Sequence, residues 1–407
     1  MTNKYIKRSL EPVLEKTAAE FPAVLLTGPR QSGKTTLLKQ LFHERYHYVS
    51  LDAPDVRAAA QEDPRGFLAM NPAPAIFDEI QNTPELLPYI KEIIDENRHQ
   101  KGQFILTGSQ NLLLSEAISE SLAGRVGLLR LLPLTRREIS GDPGKPFPWE
   151  RKDDPSGKTT PLMNRIGEDF IRGSFPEIAA DTARDASMWQ ASYIQTYLER
   201  DVRNLRQVGD LTQFQVFIRA LAARSAQLVN LSDLARDVGV AVNTLKAWLS
   251  VLEATFQIIV LRPWFGNTGK RLVKTPKIYF TDVGLMSYLT GLKDPLHAVQ
   301  GPLGGQLMET AVISEIYKTF YHRGEEPRIY FWRTSSGTEV DLVVEKGTNL
   351  IPVEIKLTST PRPSFGDPIR IFQKDNDELA LPGYVVHTGD MGLPLGKGVT
   401  ALPVAEL

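Results

Sequence analysis

The sequence predicts an α/β protein whose N-terminal third is a doubly wound parallel sheet: strands and helices alternate without a repeat. Three observations carry this. Short apolar runs alternate with amphipathic stretches over residues 1–140. A glycine-rich segment joins the first apolar run to the first helical pattern. The periodicity then changes twice, so that one domain does not account for the chain.

The elements follow in chain order. The apolar runs Ala23–Thr27, Tyr46–Leu51, Pro74–Phe77, Gln103–Thr107 and Val126–Leu134 read as strands, and Gly33–Phe42, Pro84–Asn97 and Leu112–Leu122 as helices between them. Residues 141–161 are dense in Pro, Gly and charge and read as a loop or linker. Residues 162–290 look mainly helical. Met188–Leu205 has helical spacing, and a helix over Asp210–Ala226 precedes a short helix at Leu231–Val238, a turn at Gly239 and a second helix at Ala241–Leu252. With the extended segments that follow, this predicts a winged helix. From about residue 300, a long helix (Gly305–Tyr321) leads into strands at Arg328–Arg333, Glu339–Val344 and Leu350–Leu357. The expected division is 1–140, a linker at 141–161, a helical lid over 162–209, a winged helix over 210–290 and a last domain over 300–407.

Composition narrows the chemistry. The 407 residues hold 47 Lys+Arg against 48 Asp+Glu, a net charge of −1, so no global field marks a nucleic-acid or membrane partner. Cysteine is absent, which excludes disulfides, thiolate nucleophiles and cysteine-ligated metals. The six histidines have no close ligand spacing, against a zinc enzyme. No apolar stretch reaches the length of a membrane span, and the charged start lacks the apolar segment of a signal peptide, so no membrane association and a cytoplasmic location are expected.

The strongest motif is Gly28-Pro29-Arg30-Gln31-Ser32-Gly33-Lys34-Thr35, followed by Thr36. It fits GxxxxGK[ST] and sits between a strand and a helix, as a phosphate-binding P-loop requires. Glycines let backbone amides curl around phosphate oxygens, and the helix N-terminus adds partial positive charge. Lys34 is expected on the β- and γ-phosphates of ATP, and Thr35 on Mg²⁺. The run Pro74–Phe77 ends in Asp78 and Glu79. Asp78 is expected in the Mg²⁺ shell, and Glu79 to orient or activate water. The next strand ends at Ser109 and Gln110, either of which could contact the γ-phosphate or the water, or form a simple turn.

GPRQSGKTTL, IFDEIQ, ILTGSQ, SLAGR and YLERDV together resemble a family of prokaryotic AAA-type ATPases, in which a P-loop domain is fused to a C-terminal domain of unknown function. The resemblance runs from about Tyr5 to about Lys356. It implies an AAA-type core, a winged helix and a C-terminal fold like the PD-(D/E)XK nucleases. Ser109 stands where many AAA ATPases carry asparagine. Arg125 is placed like an arginine finger acting in trans, which implies a homo-oligomer; a structural ion pair suits it equally, and Arg172 or Arg200 could do the same work.

Two further patterns concern nucleic acid. Residues 254–281 contain no Asp or Glu but hold Arg262, Lys270, Arg271, Lys274 and Lys277, a local charge of +5. This suits the wing of a winged helix on DNA phosphates, with Asn243, Thr244 and Lys246 on the preceding helix. The same pattern suits an internal packing or protein-docking module. The last domain carries Glu339-Val340-Asp341 and then Glu354-Ile355-Lys356. Strand alternation predicts that Val340, Leu342 and Val344 pack inward while Asp341 faces out, and likewise Glu354 and Lys356. With Glu309 from the preceding helix, these groups could hold Mg²⁺ and polarise water for phosphodiester attack. The acid-strand, ExK-strand order resembles the PD-(D/E)XK nucleases, in an active or a decayed form.

Overall fold

In a computed structural model, the structure describes residues 5–109, 121–151, 163–198, 202, 210–264 and 275–407. The first sheet has five strands: β1 (Ala23–Thr27), β2 (His47–Ser50), β3 (Ala75–Asp78), β4 (Phe104–Gly108) and β5 (Val126–Arg130). Their order is β2-β3-β4-β1-β5, and every pairing is parallel. A parallel sheet needs crossover helices, and these cover both of its faces. All five residues of β1 are therefore buried, Ala23 and Leu25 toward one face, Val24 and Leu26 toward the other.

On one face lie α1 (Glu11–Glu20), with Leu10 and Leu14 against the sheet, and α2 (Lys34–Phe42), with Leu37, Leu38 and Phe42. On the other, α5 (Leu86–Glu96) buries Leu86, Leu87, Ile90 and Ile94, a helical stripe worth roughly 1.5–3 kcal/mol per side chain. Between β2 and β3 stand two helices absent from the expectation, α3 (Pro54–Glu62) and α4 (Pro64–Met70). Each begins with proline at a position where its missing N–H costs nothing. The expected helix at Leu112–Leu122 lies almost wholly outside the described residues.

The middle region is helical. A short helix, α6 (Arg136–Ile139), leads to it. Then come α7 (Met163–Arg172), α8 (Pro176–Ala179) and α9 (Ala186–Tyr197). Next are α10 (Leu211–Ala222), α11 (Leu231–Val238) and α12 (Val242–Ala254). Asn230 caps α11 by accepting from Ser232 and Asp233, and Gly239, in the left-handed region, ends it and turns the chain into α12. An antiparallel pair follows, β6 (Ile258–Leu261) with β7 (Lys277–Phe280).

After α13 (Val283–Leu289) and α14 (Pro295–Gln300), the C-terminal region opens with α15 (Gly304–His322). Its strands are β8 (Ile329–Arg333), β9 (Glu339–Lys346), β10 (Asn349–Ile355), β11 (Gly383–His387), β12 (Leu393–Pro394) and β13 (Val399–Pro403). They form a mixed sheet in the order β12-β13-β11-β10-β9-β8, with α16 (Asp367–Asp375) inserted before β11. Helix α15 packs against β5, β7 and β10, so one buried rod touches all three regions.

Asp341 does not face out. It is 9% exposed, between Val340 and Leu342 at 0%. The pairing of β9 with β8 slips: Tyr330 pairs Val343 but Trp332 pairs Val340, which puts one extra residue on β9 in that stretch. A bulge breaks strict alternation, and Phe372 of α16 covers the sheet where solvent was expected.

Candidate nucleotide site

The P-loop leaves the C-terminal end of β1. Gly28 has φ of 152°, and a Cβ there would stand 2.0 Å from the Leu131 carbonyl oxygen. Gly33, at φ 95°, makes the final left-handed turn into α2. The Lys34 ammonium is buried and donates to the Gly28 and Pro29 carbonyls at 2.9 and 3.0 Å. The Ser32 hydroxyl is fully buried and has no hydrogen-bond partner among the described residues.

Thr35, at the start of α2, donates from Oγ1 to Asp78 Oδ2 at 2.8 Å, joining the ends of β1 and β3. Tyr48 OH donates to the same oxygen at 2.6 Å, and Thr107 Oγ1 donates to Asp78 Oδ1. Burial, with Asp78 close by, pushes the Tyr48 phenol up. Glu79 holds a left-handed backbone at φ 61°, which costs a non-glycine residue about 1–3 kcal/mol. Its N–H donates to Thr107 Oγ1 at 3.1 Å. Its carboxylate accepts from Gln81 and, at 3.2 Å, from Ser109 Oγ. Ser109 thus orients Glu79, while Gln110 and Arg200 lie outside the described residues.

A cavity of about 690 Å³ opens over the loop. Arg30, Gln31, Gly33, Lys34, Thr35, Thr36 and Glu79 line it from the core, with Pro176, Tyr193 and Tyr197 from α8 and α9 opposite. Oxygen donors at Thr35 and Asp78, beside a buried unsatisfied hydroxyl and a cation, fit a Mg²⁺–phosphate group.

Arg8 escaped the sequence reading because no motif contains it. Its guanidinium donates to the Ser32 carbonyl at 2.8 Å and the Leu132 carbonyl at 2.7 Å, and its Nε lies 3.2 Å from Glu138 Oε1. Glu138 also accepts from Ser9 N and Thr135 N, both at 2.8 Å. Beyond it, His322 Nε2 accepts from Leu132 N at 3.1 Å, which assigns the ring proton to Nδ1.

Arg125 lies at the other edge of the sheet, just before β5, where its carbonyl accepts from Ala23 N. Its guanidinium grips Asp95 of α5 at 2.7 and 2.9 Å, away from its own chain's P-loop. Arg172 donates to the carbonyls of Ile178 and Asp181 and secures the turn after α7.

Of the basic segment, Lys270, Arg271 and Lys274 lie outside the described residues. Asn243, Lys246 and Arg262 are exposed and Thr244 half-buried. Lys277 corrects the expectation. It is 3% exposed and faces inward, its Nζ 2.9 Å from Glu309 and in contact with Glu339. It therefore offers no charge to a phosphate backbone.

The expected metal set of the last region is also corrected. Asp341 Oδ2 accepts from Ile355 N at 2.8 Å, and Lys356 contacts Glu354 at 2.5 Å. Glu309 is bound by Lys277 and, at 2.6 Å, by Tyr279 OH. Among the described residues, no three acidic, histidine or cysteine side chains are grouped to hold a metal ion. Burial and the charge of Asp341 push Glu309 up to about 7 and Glu354 up to about 8.

Fold and site define a P-loop ATPase domain carrying two further regions. Residues 20–140 match the AAA domain family, 163–296 a domain of unknown function (DUF8612) and 304–407 a second one (DUF4143). Uncharacterized proteins of Mycobacterium tuberculosis and Mycobacterium bovis are each 32% identical over 406 residues, covering 98% of this chain and 84% of theirs. An uncharacterized protein of Methanocaldococcus jannaschii is 21% identical over 383 residues, covering 88% of this chain and 81% of its own. The chain belongs to the family of the two mycobacterial proteins. A solved structure, the Walker-type ATPase of Pyrococcus abyssi, is similar at 17% identity and a TM-score of 0.47, covering 71% of this chain and 97% of its own. Among the described residues, no helix is long and apolar enough to cross a membrane.

Proposed function

We propose that the chain is a Mg²⁺-dependent ATP phosphohydrolase of AAA type. The observation that carries this is the linked set Thr35–Asp78–Thr107–Glu79 beside Lys34, at the mouth of one cavity. Lys34 exchanges the Gly28 and Pro29 carbonyls for the β- and γ-phosphates. Thr35 and Asp78 would hold Mg²⁺, which would supply positive charge against the phosphates when bound. Glu79 orients the attacking water, steadied by Ser109 and Gln81. The cavity walls from α8 and α9 enclose the rest of the nucleotide, so residues 162–209 act as its lid.

The proposed division keeps 210–290 as a winged helix and 300–407 as a nuclease-like domain, joined to the core by residues 141–161. DNA is the proposed partner, supported by the exposed Asn243, Lys246 and Arg262. A homo-oligomer acting through Arg125 requires that arginine to leave Asp95. The test is phosphate release with and without duplex, single-stranded and branched DNA, scoring the DNA for cleavage. Turnover falls to background in Lys34→Ala and Glu79→Gln; undiminished turnover in both removes the proposal.

A further inference from the structure

A second cavity, of about 600 Å³, lies where α6, α7 and α15 meet residues 404–407. Leu134 lines both this cavity and the nucleotide cavity, but no residue of the P-loop lines the second. Its volume suits a small organic molecule. Phe170, Val283, Ala311 and Val404 give it apolar walls. Among its charged lining, five cations (Arg136, Arg137, Lys145, Arg165 and Lys318) stand against three acids (Asp169, Glu315 and Glu406).

Two of these cations are buried and short of partners. Arg137 is 2% exposed; its Nη1 donates to the Lys145 carbonyl, and its guanidinium lies 4.3 Å from the centre of the Phe147 ring. Its Nε and Nη2 have no hydrogen-bond partner among the described residues. These two nitrogens form one edge of the guanidinium, the fork that takes a carboxylate or phosphate through two parallel bonds. Glu315 Oε1 stands 3.9 Å from Nε, beyond hydrogen-bond length, and has no donor of its own. Lys318 is 4% exposed and donates to two neutral oxygens, the Leu134 carbonyl at 2.9 Å and Ser174 Oγ at 3.1 Å. The remaining acids are already paired, Asp169 with Arg136 at 3.2 Å and Glu406 with Lys145 at 3.6 Å. Buried charge with unmet hydrogen bonds is costly until a partner supplies them.

We propose that this cavity binds a small organic anion, a carboxylate or phosphate on an apolar body. The anionic group takes the Nε–Nη2 edge of Arg137, and Lys318 adds positive charge from the α15 wall. A hydroxyl beside the anionic group supplies the donor that Glu315 Oε1 lacks. The apolar body lies against Phe170 and Val283.

Calorimetry on the full chain tests this with three probes: mandelate, phenyl phosphate and the uncharged phenylethanediol. A Lys34→Ala background keeps the P-loop from taking the phosphate. At least one anion is expected to bind at a single site, roughly tenfold or more tighter than the diol. The tighter of the two anions identifies the group that the site takes. Arg137→Met should weaken that anion roughly tenfold or more, and Arg137→Lys should restore only part, because an ammonium has no fork. Binding of neither anion overturns the proposal, as does a diol that binds equally well or a folded Arg137→Met that keeps its affinity. Should Arg137→Met not fold, the exposed Arg165 decides. In Arg165→Glu, a loss of anion affinity of about threefold or more, with the diol unchanged, upholds the proposal, and a smaller loss overturns it.

Discussion

His322 Nδ1 lies 3.2 Å from Glu138 Oε1, and neither side chain has any exposed surface. The two residues belong to different regions, α15 and α6, and Arg8 extends the contact to the Ser32 carbonyl of the P-loop. The phosphate-binding turn is therefore anchored to the C-terminal region through three buried polar side chains. The same contacts tie the P-loop backbone at Ser32 to the helix Gly304–His322.

Arg8→Gln leaves Glu138 without its guanidinium partner and loosens Ser32. Removing one member of a buried ion pair costs about 3–5 kcal/mol. We expect a lower melting temperature and weaker nucleotide binding, measured by calorimetry. Arg8→Lys should recover only part of each, because one ammonium cannot match the planar guanidinium that serves two carbonyls and a carboxylate. Full recovery by Lys would rule out the geometric role.

The same junction sets a pH dependence. Burial pushes the His322 imidazole below its ordinary value, against the pull of Glu138. The unfolded chain takes up this proton near pH 6.5, while the folded chain does so only at lower pH. The contribution is thus present above about pH 6.5 and lost as pH falls through the folded value. Glu138 stays ionised in that window: burial opposes its charge, but Arg8 and His322 hold it below the ordinary carboxylate range. Melting temperature should fall as pH drops from neutral. His322→Gln should begin lower and fall less steeply, and parallel slopes would remove His322 as the cause.

Thr107→Val tests the bridge between the two acids. The hydroxyl donates to Asp78 and accepts from Glu79 N, so valine leaves a buried carboxylate oxygen and a partly buried N–H without this partner. The expected loss is about 1–3 kcal/mol of stability for such groups. Turnover should fall with nucleotide affinity largely kept, since Lys34 and the loop are untouched. Affinity falling in step with turnover would contradict this.

Salt dependence separates surface cations from buried ones. If DNA binds through α12 and the strand after it, Lys246→Ala and Arg262→Ala should each lower the salt slope of binding by about one. Lys277→Met should leave that slope unchanged, because its ammonium faces Glu309 rather than solvent. Equal slopes in all three variants would place the DNA elsewhere.

The P-loop and the Asp78–Glu79 pair were legible because each is a local signature, carried by neighbouring residues on one turn. The parallel sheet was legible from its apolar runs. Arg8 and His322 were not, since they meet residues 24 to 190 positions away and belong to no spacing rule. Asp341 was assigned to the wrong side because alternation assumes an unbroken strand, and β9 carries an extra residue there. Lys277 was counted as surface charge because a charge sum carries no information about burial. Strands β11 and β13 went unread; each is a five-residue run with little pattern of its own.

Helix α15 carries Glu309 near its start and His322 at its end, roughly 20 Å apart along the axis at 1.5 Å per residue. One end is tied to the P-loop junction through His322 and Glu138, and the other to Lys277 of β7 through Glu309. With fourteen of its nineteen residues buried, the helix has little room to bend between them. The contact with the P-loop junction and the contact with β7 therefore sit on one buried helix, so a substitution that unseats the helix is felt at both.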